Sequence, residues 1–427
     1  MNVAVTVRAD QSVEEIDTTP LGALNPANAD RFQADAIWPV FQRLRREDPV
    51  HFTPESEYGP YWSITRWQDI LRVDTDHEAF SSADGIALGL LEAQAMQEKV
   101  MGPRRRGAGF ISMDPPDHGP NRKTVSPTLA PANIAQMSEL VRDRAGQILD
   151  SLPIGEAFDW VDKVSKELTA MTLATLFGFP QEDRRRLTYW SDVFTNSVGH
   201  GPVTSWEQKQ REIAACFAAF DELRAQREGA PPTFDLISML VHGSATRDLD
   251  VHEFHGNLVL LIIGGNDTTR NTISGSIYAL NKFPAQYDLL RARPDLIASM
   301  VSETIRWQTP LAHMRRTATR DVEFGGKTIR EGDKVVMWYV SGNRDASVIE
   351  HPDDYVIDRP RPRQHLSFGF GINRCVGNRL AELQLTIIWE EILKRFPSIE
   401  LAGEPERTFS VFIKGYETLP VIIPRRL

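Results

Sequence analysis

The chain has 427 residues, 41% of them hydrophobic and 25% charged, a balance that fits a globular protein with a large core and excludes a disordered or fibrous one. A formal net charge of −10 argues against the clustered basic surface that phosphate recognition needs, so a nucleic-acid binder is set aside. The two cysteines, Cys216 and Cys375, stand in unlike contexts, which excludes a disulfide framework and points to a reducing cytoplasm.

The first twenty residues carry Asp10, Glu14, Glu15 and Asp17 and no long apolar stretch, so neither a signal peptide nor a membrane anchor is expected. An irregular start to about residue 30 precedes a helical pattern from Ala36 to Glu47. Strand-like runs follow at Val50 to Phe52 and Tyr61 to Ile64, divided by Gly59-Pro60. From Asp69 to about Arg320 the apolar spacing is mostly helical. Within it Cys216, in Ile213-Ala-Ala-Cys-Phe-Ala-Ala-Phe220, reads as a small core hydrophobe. Short strands fit Val322 to Phe324 and Lys334 to Tyr339, and the tail from Phe409 to Pro424 reads as strand, turn, strand. No linker or repeat divides the chain, which is read as one unit over residues 1–427, mainly α with small β-sheets.

One helix is unusually long. Asp250 and Glu253 form a capping-box start and nothing breaks the pattern before Pro284, giving roughly 30 residues and ~45 Å. Its interior holds Gly264-Gly265-Asn266-Asp267-Thr268-Thr269, where each glycine costs about 1 kcal/mol against alanine. Glycine admits a flat ligand against the backbone, and a local widening of the helix there is expected to make room for O2 and water. The apolar run Leu258 to Ile263 is too short to span a bilayer.

The stretch Phe368-Gly-Phe-Gly-Ile-Asn-Arg-Cys375-Val-Gly377 precedes a helical segment from Asn378 to Phe396. Its glycines imply a tight loop that delivers Cys375 to a helix N-terminus, where the dipole and backbone amides favour a thiolate.

The pattern Phe368-x-x-Gly371-x-x-x-Cys375-x-Gly377 resembles the haem-binding loop of the cytochrome P-450 superfamily, and other signatures follow in the expected order along nearly the whole chain. The resemblance implies haem b between the long helix and the Cys loop, with Cys375 as iron ligand and Phe368, Gly369 and Gly377 shaping the loop, while Gly264 faces the porphyrin. Glu303-Thr-Ile-Arg306 is similar to the family's structural Glu-x-x-Arg pair. His118 and Arg122, four residues apart, and Arg316 match the groups that bond the haem propionates. Asn373 departs from the pattern, since the family usually carries His or Arg there and an amide supplies no charge.

Asp267-Thr268 resembles the acid–alcohol pair that delivers protons to bound dioxygen, a carboxylate near solvent feeding a hydroxyl near the oxygen, which implies O2 as co-substrate rather than peroxide. Electrons are then expected from NAD(P)H through a ferredoxin and its reductase, with Lys123, Arg363, Arg374 and Arg379 as a docking patch. The strings around Gly264, Trp307 and Arg361 resemble the bacterial subfamily that hydroxylates terminal carbons of medium-chain alkanes and, in some members, fatty acids. By position, the channel candidates are Ile86, Leu88, Leu260, Ile263, Gly264, Leu311, Ala312, Met314, Phe412 and Ile413, with residues 83–110 as a variable cover. A hydroxylase of bulkier terpenoid or steroid substrates and a non-catalytic haem sensor are the alternatives. The expected state is a cytoplasmic monomer.

Overall fold

Helices form most of the chain in the computed structural model, which describes residues 13–101 and 109–427. The longest is Val251–Lys282, 32 residues or ~48 Å of axis. It opens as its sequence dictates: Asp250 Oδ1 accepts from the Glu253 amide at 2.9 Å, and Glu253 Oε2 accepts from the Asp250 amide at 3.1 Å. The helix stays α-helical throughout, without the widening expected near Gly264, and a π-helical turn lies at Val161–Lys166 instead. Thr268 Oγ1 donates to the Gly264 carbonyl at 2.9 Å, within one regular turn.

Each half of this helix packs into its own core. The first half meets Glu167–Phe177, Arg185–Thr195 and Trp206–Glu228, with Phe177, Trp190 and Phe220 in ring contact. Cys216 is fully buried there, and burial pushes its thiol up to about 12, in keeping with an inert core residue. The second half buries Ile273, Ile277 and Leu280 among Trp160, Trp307 and Trp389, beneath Ile297–Gln308 and Asn378–Arg395. Fully burying such side chains contributes about 1.5–3 kcal/mol each.

A five-stranded sheet lies beside the helices in the order Val50–Thr53, Tyr61–Ile64, Lys334–Met337, Met314–Ala318, Phe80–Ser81. All neighbours are antiparallel except the parallel pair Tyr61–Ile64 and Lys334–Met337. Met314–Ala318 lies inside the stretch expected to be helical as far as Arg320. Helix Ile297–Gln308 instead stops before Pro310, and the following residues gain sheet partners on both sides.

Two smaller expectations also change. Lys334–Met337 ends two residues early, and Val322–Phe324 pairs with a further strand, Lys327–Ile329. In the tail, Tyr416–Thr418 and Pro420–Ile422 are strands but not a hairpin. The first pairs with Glu406–Arg407, the second with Ala157–Asp159 and Glu400–Leu401.

Near the start, the helix read from Ala36 begins at Trp38, and short helices occupy Val13–Thr18 and Ala29–Gln33. Of the expected cover, residues 102–108 lie outside the described residues, and Leu91–Met101 is helical. Residues 1–12, part of the stretch read as lacking a leader, also lie outside them. Among the described residues no helix is long and apolar enough to cross a membrane.

Candidate functional site: a thiol loop facing the long helix

The Cys375 loop is closed by its own backbone. The Cys375 amide donates to the Phe368 carbonyl at 2.8 Å and the Gly369 amide to the Leu366 carbonyl at 2.7 Å. Gly371 has φ +65°, and a Cβ there would lie 2.6 Å from the Asp74 carbonyl, so this close approach requires glycine. Gly377 caps the helix Asn378–Arg395, as the sequence implies, and Phe368 is half-buried beside His365. Burial pushes the Cys375 thiol up, against the amides of Gly377 and Asn378 and the charges of Arg122 and Arg374, which pull it down. The amides at the helix start thus pull toward the thiolate, and burial outweighs them.

Behind the loop, Glu303 and Arg306 are fully buried and bonded in parallel at 2.7 and 2.8 Å. Arg306 spends its other donors on the carbonyls of Asn343, Pro352 and Asp354. The Asn343 side chain in turn holds the Leu366 amide at 2.7 Å and Ser367 Oγ at 2.9 Å. The pair thus reaches the Cys loop through Asn343.

On one edge, His118 and Arg122 share the helix His118–Val125. Burial, then the charge of Arg122, holds the His118 imidazole below its ordinary value, and its Nε2 is buried without a partner. Arg122 donates to the Arg374 carbonyl. Asn373 Nδ2 donates to Ser82 Oγ at 2.8 Å, leaving Oδ1 buried and unpartnered. Arg316 is buried and pairs with Asp74 at 2.8 Å. Asp74, which no motif marks, also accepts from Tyr339 Oη at 2.9 Å and the Phe370 amide at 2.7 Å, tying Arg316 to the Cys loop.

Across from the loop, Asp267 is fully buried rather than near solvent, which corrects the expected placement of the acid. Its Oδ1 accepts from Ser191 Oγ at 3.0 Å and forms an ion pair with Arg270 at 2.9 Å, whereas Oδ2 has no partner. Arg270 also pairs with Asp192 on the helix Arg185–Thr195. Burial pushes the Asp267 carboxyl up to about 6, with Arg270 opposing and Asp192 reinforcing the shift. Arg270 was visible in the sequence as the residue one turn beyond Asp267. Ser191 and Asp192 come from another helix and carried no signal.

The apolar candidates fall in three stitched segments and one helix face. The Arg315 amide donates to the Ile86 carbonyl at 2.7 Å, the Ala312 amide to the Phe412 carbonyl at 2.8 Å, and Leu311 bridges Ile413. His313 clamps them together: Nε2 accepts from the Leu88 amide at 3.0 Å, and Nδ1 lies 2.9 Å from the Val411 carbonyl. These two bonds fix a neutral ring protonated on Nδ1, and burial holds it down to about 4. Leu88 and Ala312 are buried in the core cluster of Trp338, Ile413 is also buried, and Ile86, Leu260, Ile263, Leu311, Met314 and Phe412 are half-buried.

The residues fit an iron porphyrin. Cys375 stands between its glycine-rich loop and the helix Asn378–Arg395, and it is exposed. Gly264, in the middle of a helix packed on both halves, is exposed too, with no atom within 4 Å of where a Cβ would project. Among the described residues no group of three or more His, Cys, Asp or Glu forms a cage for a bare ion. A single soft thiol with orphaned polar atoms at its edge suits a metal whose remaining ligands come from a macrocycle.

Comparison with known proteins agrees. The Cytochrome P450 family model matches residues 205–411. Linalool 8-monooxygenase of Pseudomonas putida is 36% identical, over 93% of this chain and 98% of that protein. A methyl-branched lipid omega-hydroxylase of Mycobacterium bovis is 30% identical over 90% of each. The solved cytochrome P450-153 from Novosphingobium aromaticivorans is 44% identical and superposes with a TM-score of 0.85 over 93% of this chain and 99% of that one. With the long helix, thiol loop and small sheets in one arrangement, the chain belongs to the cytochrome P450 family of haem monooxygenases.

Proposed function

We propose that this monooxygenase hydroxylates the terminal carbon of medium-chain alkanes or fatty acids, with electrons passed from a ferredoxin. The observation that carries the reading is the stitched wall of residues 86–88, 311–315 and 411–413. Its apolar side chains are held by backbone hydrogen bonds and by a histidine kept neutral. A primary C–H bond is stronger than its secondary neighbours, so selective attack at a chain end depends on holding the methyl group rigidly. The lipid omega-hydroxylase relative supports a terminal position.

When bound, a haem would supply the oxidising chemistry on O2, with Cys375 as the residue that would hold its iron and His118, Arg122, Arg316 and Asn373 as the residues that would hold its propionates. The chain's own work is positioning and proton supply. Asp267 takes up and passes on a proton at Oδ2, its unpartnered oxygen, while Ser191 and Arg270 fix Oδ1. Arg270 keeps its own charge and so orients Asp267 rather than relaying the proton. Thr268 offers its hydroxyl oxygen one residue on, anchored by its bond to the Gly264 carbonyl. Exposed Lys123, Arg363, Arg374 and Arg379 suit the docking of an acidic ferredoxin.

The test is the product profile of haem-loaded enzyme with ferredoxin, reductase, NADH and O2 on mixed medium-chain alkanes and fatty acids. Terminal alcohols or ω-hydroxy acids are expected. Turnover confined to a branched terpenoid alcohol would instead favour the second reading, supported by the relative named for linalool.

A further inference from the structure

A second cleft lies at the far end of the long helix, about 15 Å along its axis from Thr268. It encloses about 270 Å³. Trp38, Tyr278, Trp307 and Tyr416 form its aromatic walls, drawn from the helix Trp38–Glu47, the end of the long helix, the helix Ile297–Gln308 and the C-terminal strands.

Charge in this cleft is out of balance. Five cations line it against two carboxylates. Both carboxylates are already engaged: Asp353 pairs with Arg344 at 2.9 Å, while Asp35 holds Trp38 Nε1 at 2.9 Å and Arg407 at 3.5 Å. Arg45, Lys282 and Lys414 have no carboxylate within ion-pair distance among the described residues. Arg45 donates only to Ser341, at 3.1 Å to its carbonyl and 2.9 Å to its hydroxyl. Lys414 Nζ donates to the Gln308 carbonyl at 3.1 Å and stands 5.4 and 5.6 Å from the ring centres of Trp38 and Trp307.

The rings hold Lys414 and Lys282 in place without neutralising them. Burial first, then the neighbouring Arg344, Arg407 and Lys282, pushes the Lys414 ammonium down to about 7, against the pull of Asp35. Burial and Arg344 likewise lower Arg45 to about 10, with Asp345 and Asp353 opposing. Cations drawn out of water without counter-charge destabilise a fold unless something compensates for them.

We propose that this cleft is a binding site for a small oxyanion carrying two or more negative charges, held by Lys414 and Arg45. Carboxylate and phosphate groups share the necessary chemistry, since both accept several charge-assisted hydrogen bonds. The site is separate from the thiol loop, none of whose residues lines the cleft.

The test is isothermal titration of haem-loaded enzyme with citrate and with inorganic pyrophosphate, near neutral pH, with NaCl added to match ionic strength. One equivalent of at least one anion binds and the Soret band does not move. Affinity drops ~10-fold or more in Lys414→Met and in Arg45→Met, the scale of one lost charged hydrogen bond. Lys414→Met without anion melts no lower than the parent, because an unpaired cation has been removed, so failure to fold does not confuse the reading. The preferred anion separates a carboxylate from a phosphate ligand. Silence with both anions, equal affinity in parent and variants, or an effect reproduced by matched NaCl overturns the site.

Discussion

The two faces of the Cys375 loop satisfy their buried charges in opposite ways. Behind it, all five Arg306 donors are used, and Glu303 accepts from Arg306, Arg359 and the Val356 amide. In front, Asp267 Oδ2, His118 Nε2 and Asn373 Oδ1 are buried without partners, and Arg270 leaves Nε and Nη1 unused. A saturated network holds one geometry. An unsaturated one keeps capacity for a proton, a cofactor edge or a substrate.

The sharpest break in this contrast is Cys375→Ser, which keeps the rear network and removes the soft ligand. Turnover and the thiolate-type CO band should both vanish while far-UV circular dichroism is unchanged. Arg306→Ala attacks the other face. It leaves the buried Glu303 carboxylate with only Arg359 and the Val356 amide, and urea unfolding should show a loss of about 3 kcal/mol. Haem loading should fall with it, since Asn343 no longer holds Leu366 and Ser367 in place.

Asp267→Asn separates function from stability. Removing the proposed proton donor should slow product formation about 10²-fold. Stability should move the other way. The native carboxyl is raised from its ordinary 3.8 to about 6, so the folded state binds more protons than the unfolded chain between those values. Its contribution to stability therefore falls as pH rises through that window. Melts from pH 4 to 7 should show the parent losing ground to Asp267→Asn as pH increases. A parent that gained ground would place Asp267 in the saturated class.

The smallest effect belongs to Gly264→Ala. A Cβ there meets nothing, so the helix should gain about 1 kcal/mol, while the methyl group intrudes where a ligand would lie. Weaker spectral shifts on adding a fatty acid, in a protein that is no less stable, would confirm that Gly264 serves the site.

Some of this organisation could be read directly from residue order. The capping box at Asp250 and Glu253 fixed the start of the long helix because both partners lie within one turn. The spacing of Gly369, Gly371 and Cys375 likewise marked the loop. The strand at Met314–Ala318 could not be read, because its apolar spacing also suits a helix and only pairing with Phe80–Ser81 and Lys334–Met337 decides. The expected widening at Gly264 failed for a similar reason: glycine permits it but does not compel it.

Local chemistry, then, is what the chain determines by itself: the thiol, the acid–alcohol pair, the Glu303–Arg306 spacing and the glycines that let backbones approach. Tertiary structure alone decided which charges share a partner. Asp74 reached Arg316 across 242 positions, Asp192 met Arg270 from another helix, and Lys414 came to lie beside Trp38 with no carboxylate within ion-pair distance among the described residues. The physical reason is that the cost of burying a charge depends on every group packed around it, and those groups meet only when the chain has folded.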